Sequence, residues 1–309
     1  MKTPHFSVII PAYNASQTIR STVASVLLQS DRDLEIILVD DGSTDDTLSL
    51  LLDIGCKDAR IRVVSQPNGG VSSARNFGAS LAKGSLLAFL DADDQWESTK
   101  LAKHRVAHEA DPMLDVSFAQ VAFCSDKVGQ LIGGRSLSRV PEGYLDIADV
   151  VVENPVCTTS NFVIRREAFE DIGGFDEDLR YAEDQEILAR LLGFGHLACG
   201  INEELVLYRM SEDGLSCDFE AMLAGWLSFA GQWLSGEELA EAEATYCRYL
   251  TRRALRSGAR IEVARSFARR GLEAHRASFM AAGSRSILTL GGVIAGAVMP
   301  VSVRRAVFA

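Results

Sequence analysis

A short apolar run that ends in three carboxylates constrains this chain more than any other feature. Residues 85–90 are Ser-Leu-Leu-Ala-Phe-Leu, and Asp91, Asp93 and Asp94 follow within four positions. An apolar run of this length is typical of a buried parallel strand. Because open α/β sheets bind ligands at the carboxyl ends of their strands, these acids are well placed for chemistry. The alternative is an acidic turn that only caps the helix expected near Ser98.

Three further apolar runs in the N-terminal half end in turn residues and precede helical patterns. Such alternation predicts a parallel sheet with right-handed crossovers, which would bring Tyr13, Asp41, Asn68 and Asp93 to one sheet edge. The runs are residues 6–10, 34–39 and 60–64, the helical patterns are 16–30, 45–54 and 71–83, and the expected caps are Ser16, Asp45 and Ser72.

Seven short motifs follow one another in the first two thirds of the chain. They are SVIIPAYN (7–14), VDDGSTD (39–45), QPNGGVSSARNFG (66–78), DADDQW (91–96), SNFVIRR (160–166), GGFDE (173–177) and AEDQEILARL (182–191). In this order and spacing they resemble the family 2 inverting glycosyltransferases of the GT-A fold. The resemblance covers about residues 5–215.

The resemblance implies an α/β fold with a mostly parallel, Rossmann-like sheet flanked by helices. The catalytic domain would be residues 1–215, with a nucleotide-sugar-binding half at 1–97 and an acceptor half at 98–215. Residues 216–309 are then expected to form a helical C-terminal region with a basic segment and an apolar tail.

The resemblance also implies a site for a nucleotide-diphosphate sugar, which we expect to be UDP-linked. A carboxylate would accept the imide N–H of the base, an aromatic ring would border it, and glycines would let the backbone approach the donor. Mg²⁺ or Mn²⁺ would act on the leaving diphosphate. The residues implied are Pro11, Tyr13 and Asp41 at the base, Asn68, Gly70, Arg75 and Arg209 along the donor, and Asp93 and Asp91 at the metal. For Asp40, turn support is an equally good interpretation.

A second pair of carboxylates, Glu183 and Asp184, opens the helical pattern that continues through residue 192. Acids at helix starts are common, because the helix dipole favours negative charge there. In the family, however, this helix faces the acceptor and supplies the general base. An inverting transfer is a single displacement, so one carboxylate must deprotonate the acceptor hydroxyl. Asp184 is the expected base and Glu183 the alternative.

Two departures from the family pattern bear on this interpretation. Ser211 stands where many members carry a histidine near the metal or diphosphate, which leaves the strict metal requirement open. The chain also lacks a Gln-x-x-Arg-Trp run. That absence favours transfer of one or a few sugars over processive polymer synthesis.

Composition fits a globular enzyme of 309 residues with 47% hydrophobic content. The six cysteines show no paired spacing, so we expect reduced thiols in a cytoplasmic protein. The first strand follows the N-terminus almost directly, and we expect no signal peptide. His104 and His108 are spaced for one helix face and, without a third ligand, indicate a helix surface rather than a metal site.

Charge is distributed unevenly along the chain. The total is −11, but residues 248–309 hold twelve arginines and two acids, a net +10. Within them, residues 286–303 carry no charge and are flanked by Arg285 and by Arg304 and Arg305. This pattern suits an anionic membrane surface. The apolar stretch could lie at the membrane interface, span the bilayer or pack within the protein. The rest of the chain is acidic, which argues against a nucleic-acid partner.

The sequence thus predicts a non-processive, hexosyl-type glycosyltransferase of cell-envelope polysaccharide biosynthesis. Its partners would be a nucleotide sugar and a glycan or lipid-linked saccharide, at the inner face of the plasma membrane. A nucleotidyltransferase is the enzymatic alternative, but residues 11–15 are not the Gly-rich loop that it would need. An inactive nucleotide-sugar-binding scaffold is the other alternative. The sequence leaves the sugar, the linkage and the oligomeric state open.

Overall fold

The computed structural model describes residues 4–127, 130–131, 136–210 and 218–308. These divide into two compact units. The first, here called the catalytic unit, contains the described residues up to 147 together with 155–210. The second, the helical unit, contains 148–154 and 218–308. Residue 211, where the family often has histidine, lies outside the described residues.

The first four strands of the catalytic unit form the predicted parallel sheet. They lie in the order β3 (Ile61–Ser65), β2 (Leu34–Asp40), β1 (Phe6–Ala12) and β4 (Leu86–Phe89), with parallel pairing throughout. β1, β2 and β4 are almost entirely buried, whereas the edge strand β3 is partly exposed. Val8 and Ile36 belong to one core cluster, and Ile37 and Val39 belong to another. The sheet is therefore buried on both faces, which explains why these runs are continuously apolar. A helix connects each of these strands to the next one in the chain, as parallel pairing requires. The predicted α/β fold is confirmed.

The first three helices begin one or two residues away from the positions that the expected caps predicted. The first three helices begin after Thr18, Asp46 and Gly70 rather than after Ser16, Asp45 and Ser72. Asp45 nevertheless contributes, because its Oδ1 accepts the backbone N–H of Thr47 at 2.9 Å. The sequence pattern places a helix well but not its first residue.

Beyond β4 the sheet becomes mixed. β9 (Val163–Arg165) pairs antiparallel with both β4 and β6 (Leu114–Lys127). β10 (Leu197–Met210) runs parallel to β6, and the two-residue β5 (Gln95–Trp96) pairs antiparallel with β10. The β6–β10 pairing contains register shifts, which mark bulges. This half brings the end of β10 beside the acidic turn that follows β4.

The helical unit has its own core of aromatic side chains. Trp226 stacks on Tyr246, and its indole N–H donates to the Val151 carbonyl at 2.9 Å. Phe279 is fully buried against Gly271, where a Cβ atom would lie 2.7 Å from the ring. Among the described residues, none of the helices combines the length and the hydrophobicity needed to cross a membrane.

The cysteines that the structure describes, at positions 56, 124, 157, 199 and 247, are free thiols, as expected, and Cys217 lies outside the described residues. The strands are β1 Phe6–Ala12, β2 Leu34–Asp40, β3 Ile61–Ser65, β4 Leu86–Phe89, β5 Gln95–Trp96, β6 Leu114–Lys127, β7 Gln130–Leu131, β8 Ser136–Leu137, β9 Val163–Arg165 and β10 Leu197–Met210. The helices are α1 Ile19–Leu27, α2 Thr47–Gly55, α3 Val71–Ser80, α4 Lys100–Ala110, α5 Ile147–Val152, α6 Arg166–Asp171, α7 Glu183–Gly193, α8 Phe219–Trp233, α9 Gly236–Ser257, α10 Ile261–Ala274, α11 Arg276–Met280, α12 Ser284–Ala295 and α13 Val301–Phe308.

Candidate active site

The ends of β1 and β2 are tied together at the sheet edge. Asn14 adopts a left-handed backbone with φ of 50°, a conformation that asparagine tolerates. Its side-chain oxygen accepts the backbone N–H of Thr44 at 2.8 Å. Pro11 is buried within β1 opposite Val39, whereas Tyr13 is 51% exposed. The structure thus leaves the Tyr13 ring accessible at the edge where the base is expected.

Asp41 organises the loop between β3 and α3. Its buried carboxylate accepts the backbone N–H groups of Gly69 and Gly70, each at 2.9 Å, and the Gln66 side-chain amide at 2.8 Å. Gly70 has φ of 90°, which a side chain would strain. Asp41, Asn68 and Gly70 therefore lie together, as the sequence predicted, with Asp41 bound to the loop that carries the other two. A contact with a base stays a prediction.

Asp40, the preceding acid, supports the turn. It is buried and accepts hydrogen bonds from the Ser65 hydroxyl at 2.9 Å and from the backbone N–H of Ser43 at 3.3 Å. Of the two roles that the sequence left open for Asp40, these contacts favour turn support.

The acidic turn after β4 brings three carboxylates, Asp91, Asp93 and Asp94, together in a largely buried position. Burial, and then the charge of Asp91, raise the pKa of Asp93 to about 6. Burial and both neighbouring acids raise the pKa of Asp94 as well. Such repulsion is what a bound divalent cation relieves, and carboxylate oxygens are the ligands that Mg²⁺ and Mn²⁺ prefer. Asp91 and Asp93 therefore suit the predicted metal.

Asp94 has a different role from the other two acids, which the sequence did not reveal. Its oxygens accept the Ser160 hydroxyl at 2.6 Å and the backbone N–H of Arg209 at 2.8 Å. Ser160 also accepts the backbone N–H of Asp91 at 3.0 Å, so it connects both ends of the turn. Arg209 is buried, and its Nε donates to the Asp93 carbonyl at 2.8 Å. The turn is thus held in shape by two elements, the 3-10 helix of residues 159–161 and β10.

Arg75 joins the acidic turn to the start of α7. The guanidinium is 2% exposed and pairs with Asp91 at 2.6 Å and with Glu183 at 3.2 Å. It also lies 5.3 Å from the centre of the Phe175 ring. Burial lowers the pKa of Arg75, but the two carboxylates outweigh that effect and raise it. Its positive charge is therefore directed at two carboxylates, and its predicted contact with the donor stays untested.

The two acids of α7 differ in their surroundings. Burial raises the pKa of Glu183, against the effect of Arg75 and in the same direction as the charge of Asp184. Asp184 accepts the backbone N–H of Gln185 at 2.9 Å through Oδ1. Ala182, just before the helix, has φ of 60°, an unusual conformation for alanine. Strain of this kind often persists where a functional side chain must be held in place.

Removing the Arg75 charge should reveal how strongly it holds these acids. In Arg75→Gln, Asp91 and Glu183 lose their shared cation, and we expect up to about 3 kcal/mol of lost stability, since one partner of a buried pair is removed. The double variant Arg75→Gln/Glu183→Gln should recover much of that loss in urea unfolding. Strictly additive losses would show that Glu183 and Arg75 are not coupled.

A buried cluster of bases lies on α4, contrary to the exposed surface expected for His104 and His108. Both histidines are buried, and each points a ring nitrogen at the Ser117 hydroxyl, at 2.6 and 2.9 Å. Lys100 is fully buried too, 2.8 Å from His104 Nε2 and 3.1 Å from the Asn161 carbonyl. The two histidines do share one helix face, as their spacing predicted, but that face points into the protein.

These histidines should make the catalytic unit sensitive to acid. Burial lowers the pKa of His108 to about 4 and lowers that of His104 well below its usual range. Below about pH 6.5 the unfolded chain therefore binds more protons, and stability falls, by on the order of 2 kcal/mol per histidine at pH 5. The raised pKa of Asp93 acts in the opposite direction.

Urea unfolding of His108→Gln at pH 7.5 and pH 5 tests this, because the Asp93 contribution is common to variant and parent. The pH dependence of the free energy of unfolding should become weaker in His108→Gln than in the parent. An unchanged pH dependence in His108→Gln would contradict the prediction.

Comparison with known proteins decides the family. The family model for "Glycosyl transferase family 2" matches residues 7–173, more than half of the chain and the part that contains the acidic turn. The chain belongs to glycosyl transferase family 2. A putative teichuronic acid biosynthesis glycosyltransferase, TuaG of Bacillus subtilis, is 33% identical over 249 residues, which are 79% of this chain and 93% of that protein.

Two other relatives in the family are similar over shorter parts. The uncharacterised glycosyltransferase EpsJ of Bacillus subtilis is 33% identical over 69% of this chain, which spans 63% of EpsJ. WfaP of Escherichia coli, a UDP-Glc:α-D-GlcNAc-diphosphoundecaprenol β-1,3-glucosyltransferase, is 45% identical over 31% of this chain and 38% of its own length. The predicted family is confirmed.

A solved structure confirms the GT-A architecture. The mannosyltransferase PcManGT of Pyrobaculum calidifontis, in complex with GDP-Man and Mn²⁺, has a TM-score of 0.63 to this family 2 chain at 18% identity. The match covers 100% of this chain and 85% of the other. At this identity the likeness concerns the fold.

Proposed function

We propose that this family 2 protein transfers one sugar, with inversion, from a UDP-linked donor to a saccharide presented on a lipid at the inner membrane surface. The observation that carries the proposal is that Arg75 pairs both with Asp91 of the acidic turn after β4 and with Glu183 at the start of α7. A donor-side acidic group and an acceptor-side base are what a single displacement needs.

Donor binding is assigned to the sheet edge. Tyr13 would border the base, and Asp41 would fix the loop of Asn68 and Gly70 along the donor. A divalent cation held by Asp93, with Asp91 as a direct or water-mediated ligand, would supply Lewis acidity to the leaving diphosphate. Arg209, held against the Asp93 carbonyl, would place positive charge beside that diphosphate.

Proton transfer is assigned to Asp184. Protonating Glu183 would weaken its ion pair with the buried Arg75, which makes Glu183 the less suitable proton acceptor. Asp184 would take the proton of the acceptor hydroxyl. At the same time the acceptor oxygen would bond to the anomeric carbon of the donor sugar, and the bond between that carbon and the diphosphate would break. Glu183 would then hold the start of α7 in place.

The donor and acceptor classes rest on the relatives. WfaP is named for UDP-Glc and a diphosphoundecaprenol acceptor, and TuaG for teichuronic acid biosynthesis. Both names indicate saccharides of the cell envelope, of which WfaP's acceptor is lipid-linked. PcManGT, similar in fold, was solved with GDP-Man, so guanine donors belong in any screen.

Thermal unfolding with a panel of nucleotide sugars, with and without Mn²⁺, tests the proposal. A ligand that binds the folded state at 100 times its Kd stabilises it by about 2.7 kcal/mol. We expect one UDP-sugar to raise the Tm in the presence of Mn²⁺, and incubation with saccharide acceptors to release UDP. Stabilisation by nucleoside triphosphates and sugar phosphates instead would favour a nucleotidyltransferase. Binding without turnover would favour the inactive scaffold.

A further inference from the structure

The helical unit contains a groove that the catalytic chemistry does not use. The groove runs between α10 and α12, has a volume of about 820 Å³, and is lined by Leu272, Met280, Leu290 and Val293. A groove lined by apolar side chains can accept an apolar ligand or surface.

Three exposed arginines, Arg265, Arg269 and Arg276, line the same groove. Arg265 donates from Nε to the Val293 carbonyl at 3.4 Å, which places its guanidinium directly beside α12. Two acids, Glu262 and Glu273, also line the groove, and Arg269 lies 4.0 Å from Glu273 with both side chains exposed. Arginines therefore outnumber acids, as they do throughout residues 248–309, which carry a net +10.

An exposed apolar stripe continues from the groove along α12. Ile287, Ile294 and Val298 are 64%, 78% and 88% exposed. Ile287 and Ile294 are seven residues apart on one face of α12, and Val298 lies in the turn that follows the helix. Large apolar side chains grouped on one exposed face mark an interaction site more often than scattered ones do.

Arg304, which the sequence placed among the surface charges, does not contribute to this face. Its side chain is 4% exposed, and Nη2 donates to the Ala259 carbonyl at 2.7 Å. Arg304 therefore packs within the helical unit. Among the described residues that line the groove, the positive charge comes from Arg265, Arg269 and Arg276.

We propose that the face formed by α10 and α12 docks on an anionic phospholipid bilayer. The three arginines would contact lipid phosphates, while Ile287, Ile294 and Val298 enter the boundary between headgroups and acyl chains. A second copy of the chain fits less well, because a two-fold contact would bring the two arginine-rich faces together. Nucleic acid would leave the apolar stripe without a partner.

Docking on a bilayer would bring the enzyme to a lipid-linked acceptor, and in this respect the inference rests on the proposed function. Vesicle binding needs no donor, so it is measured separately from catalysis. A chain that binds anionic vesicles but no nucleotide sugar would overturn the proposed function alone. A chain that binds a donor but no vesicles would overturn the docking proposal alone.

Co-sedimentation of the full chain with phosphatidylcholine vesicles, with and without phosphatidylglycerol, tests the docking. The parent should bind the anionic vesicles and lose affinity as salt is added. Each neutralised arginine should weaken binding about fivefold, so Arg265→Gln/Arg269→Gln/Arg276→Gln should lose on the order of 100-fold. Ile294→Asp/Val298→Asp should lose binding even at low salt.

A control removes the same amount of charge elsewhere. Lys57→Gln/Arg62→Gln/Lys83→Gln changes three exposed cations of the catalytic unit and should bind as the parent does. Circular dichroism should show that every variant is folded. Equal binding of the parent to neutral and anionic vesicles, full binding by the arginine variant, or a dimer that Ile294→Asp/Val298→Asp dissociates without any vesicle binding would each overturn the proposal.

Discussion

Asp184→Asn is expected to lower kcat by about 10²–10⁴-fold while leaving the Kd of the donor unchanged, as removal of a positioned base usually does. The substitution keeps the shape of the side chain but removes its capacity to take a proton. Asp184 lies in the first turn of α7, whereas the donor is assigned to the loop of residues 66–70. Single-turnover kinetics with saturating donor, together with calorimetric titration of UDP, separates the two effects.

Asp178→Asn is the matched control, because Asp178 is an exposed carboxylate just ahead of the same helix. It should keep parental turnover. If Asp184→Asn also keeps parental turnover and Glu183→Gln does not, the base is Glu183. In that case Arg75, which pairs with Glu183 at 3.2 Å, would act on the proton acceptor directly.

Asp93→Asn is expected to abolish the metal dependence of donor binding. Changing an outer-sphere partner of a metal site costs about 10–100-fold in metal affinity, so losing a carboxylate ligand should cost at least that much. The same substitution removes a carboxylate whose pKa is raised to about 6 by burial and by Asp91. Repulsion in the folded state is therefore relieved, and the variant should be as stable as the parent or more so.

Titration of UDP with and without Mn²⁺ measures this effect, and urea unfolding measures the stability. Asp53→Asn serves as the control, because Asp53 is a surface carboxylate paired with Arg20 and Lys57. It should leave UDP binding unchanged. Manganese-dependent UDP binding of parental affinity in Asp93→Asn would show that the metal is held elsewhere.

The parallel half of the fold could be predicted from sequence because burial on both faces leaves a distinctive pattern. Continuous apolar runs such as residues 36–39 are typical of buried parallel strands, and turn residues mark where each run ends. The loop position of Asn68 and Gly70 followed from the same alternation. Exact helix starts did not, since capping depends on contacts such as that of Asp45 with Thr47.

Contacts between residues that are far apart in the chain could not be predicted from the sequence. Arg75 and Glu183 are 108 positions apart, and no periodicity relates them. Likewise, the spacing of His104 and His108 predicted that both lie on one helix face, but it did not show whether that face points into the protein or into solvent. Only the packing of α4 against β6, with Ser117 between the two rings, shows that it points inward.

The stereochemistry of the product tests the proposed reaction most directly. With the donor that stabilises the protein and a saccharide acceptor that it uses, proton NMR gives the anomeric configuration of the new linkage. A single displacement with Asp184 as base predicts a β-linkage from an α-linked donor. An α-linkage from the same donor would contradict the inverting mechanism.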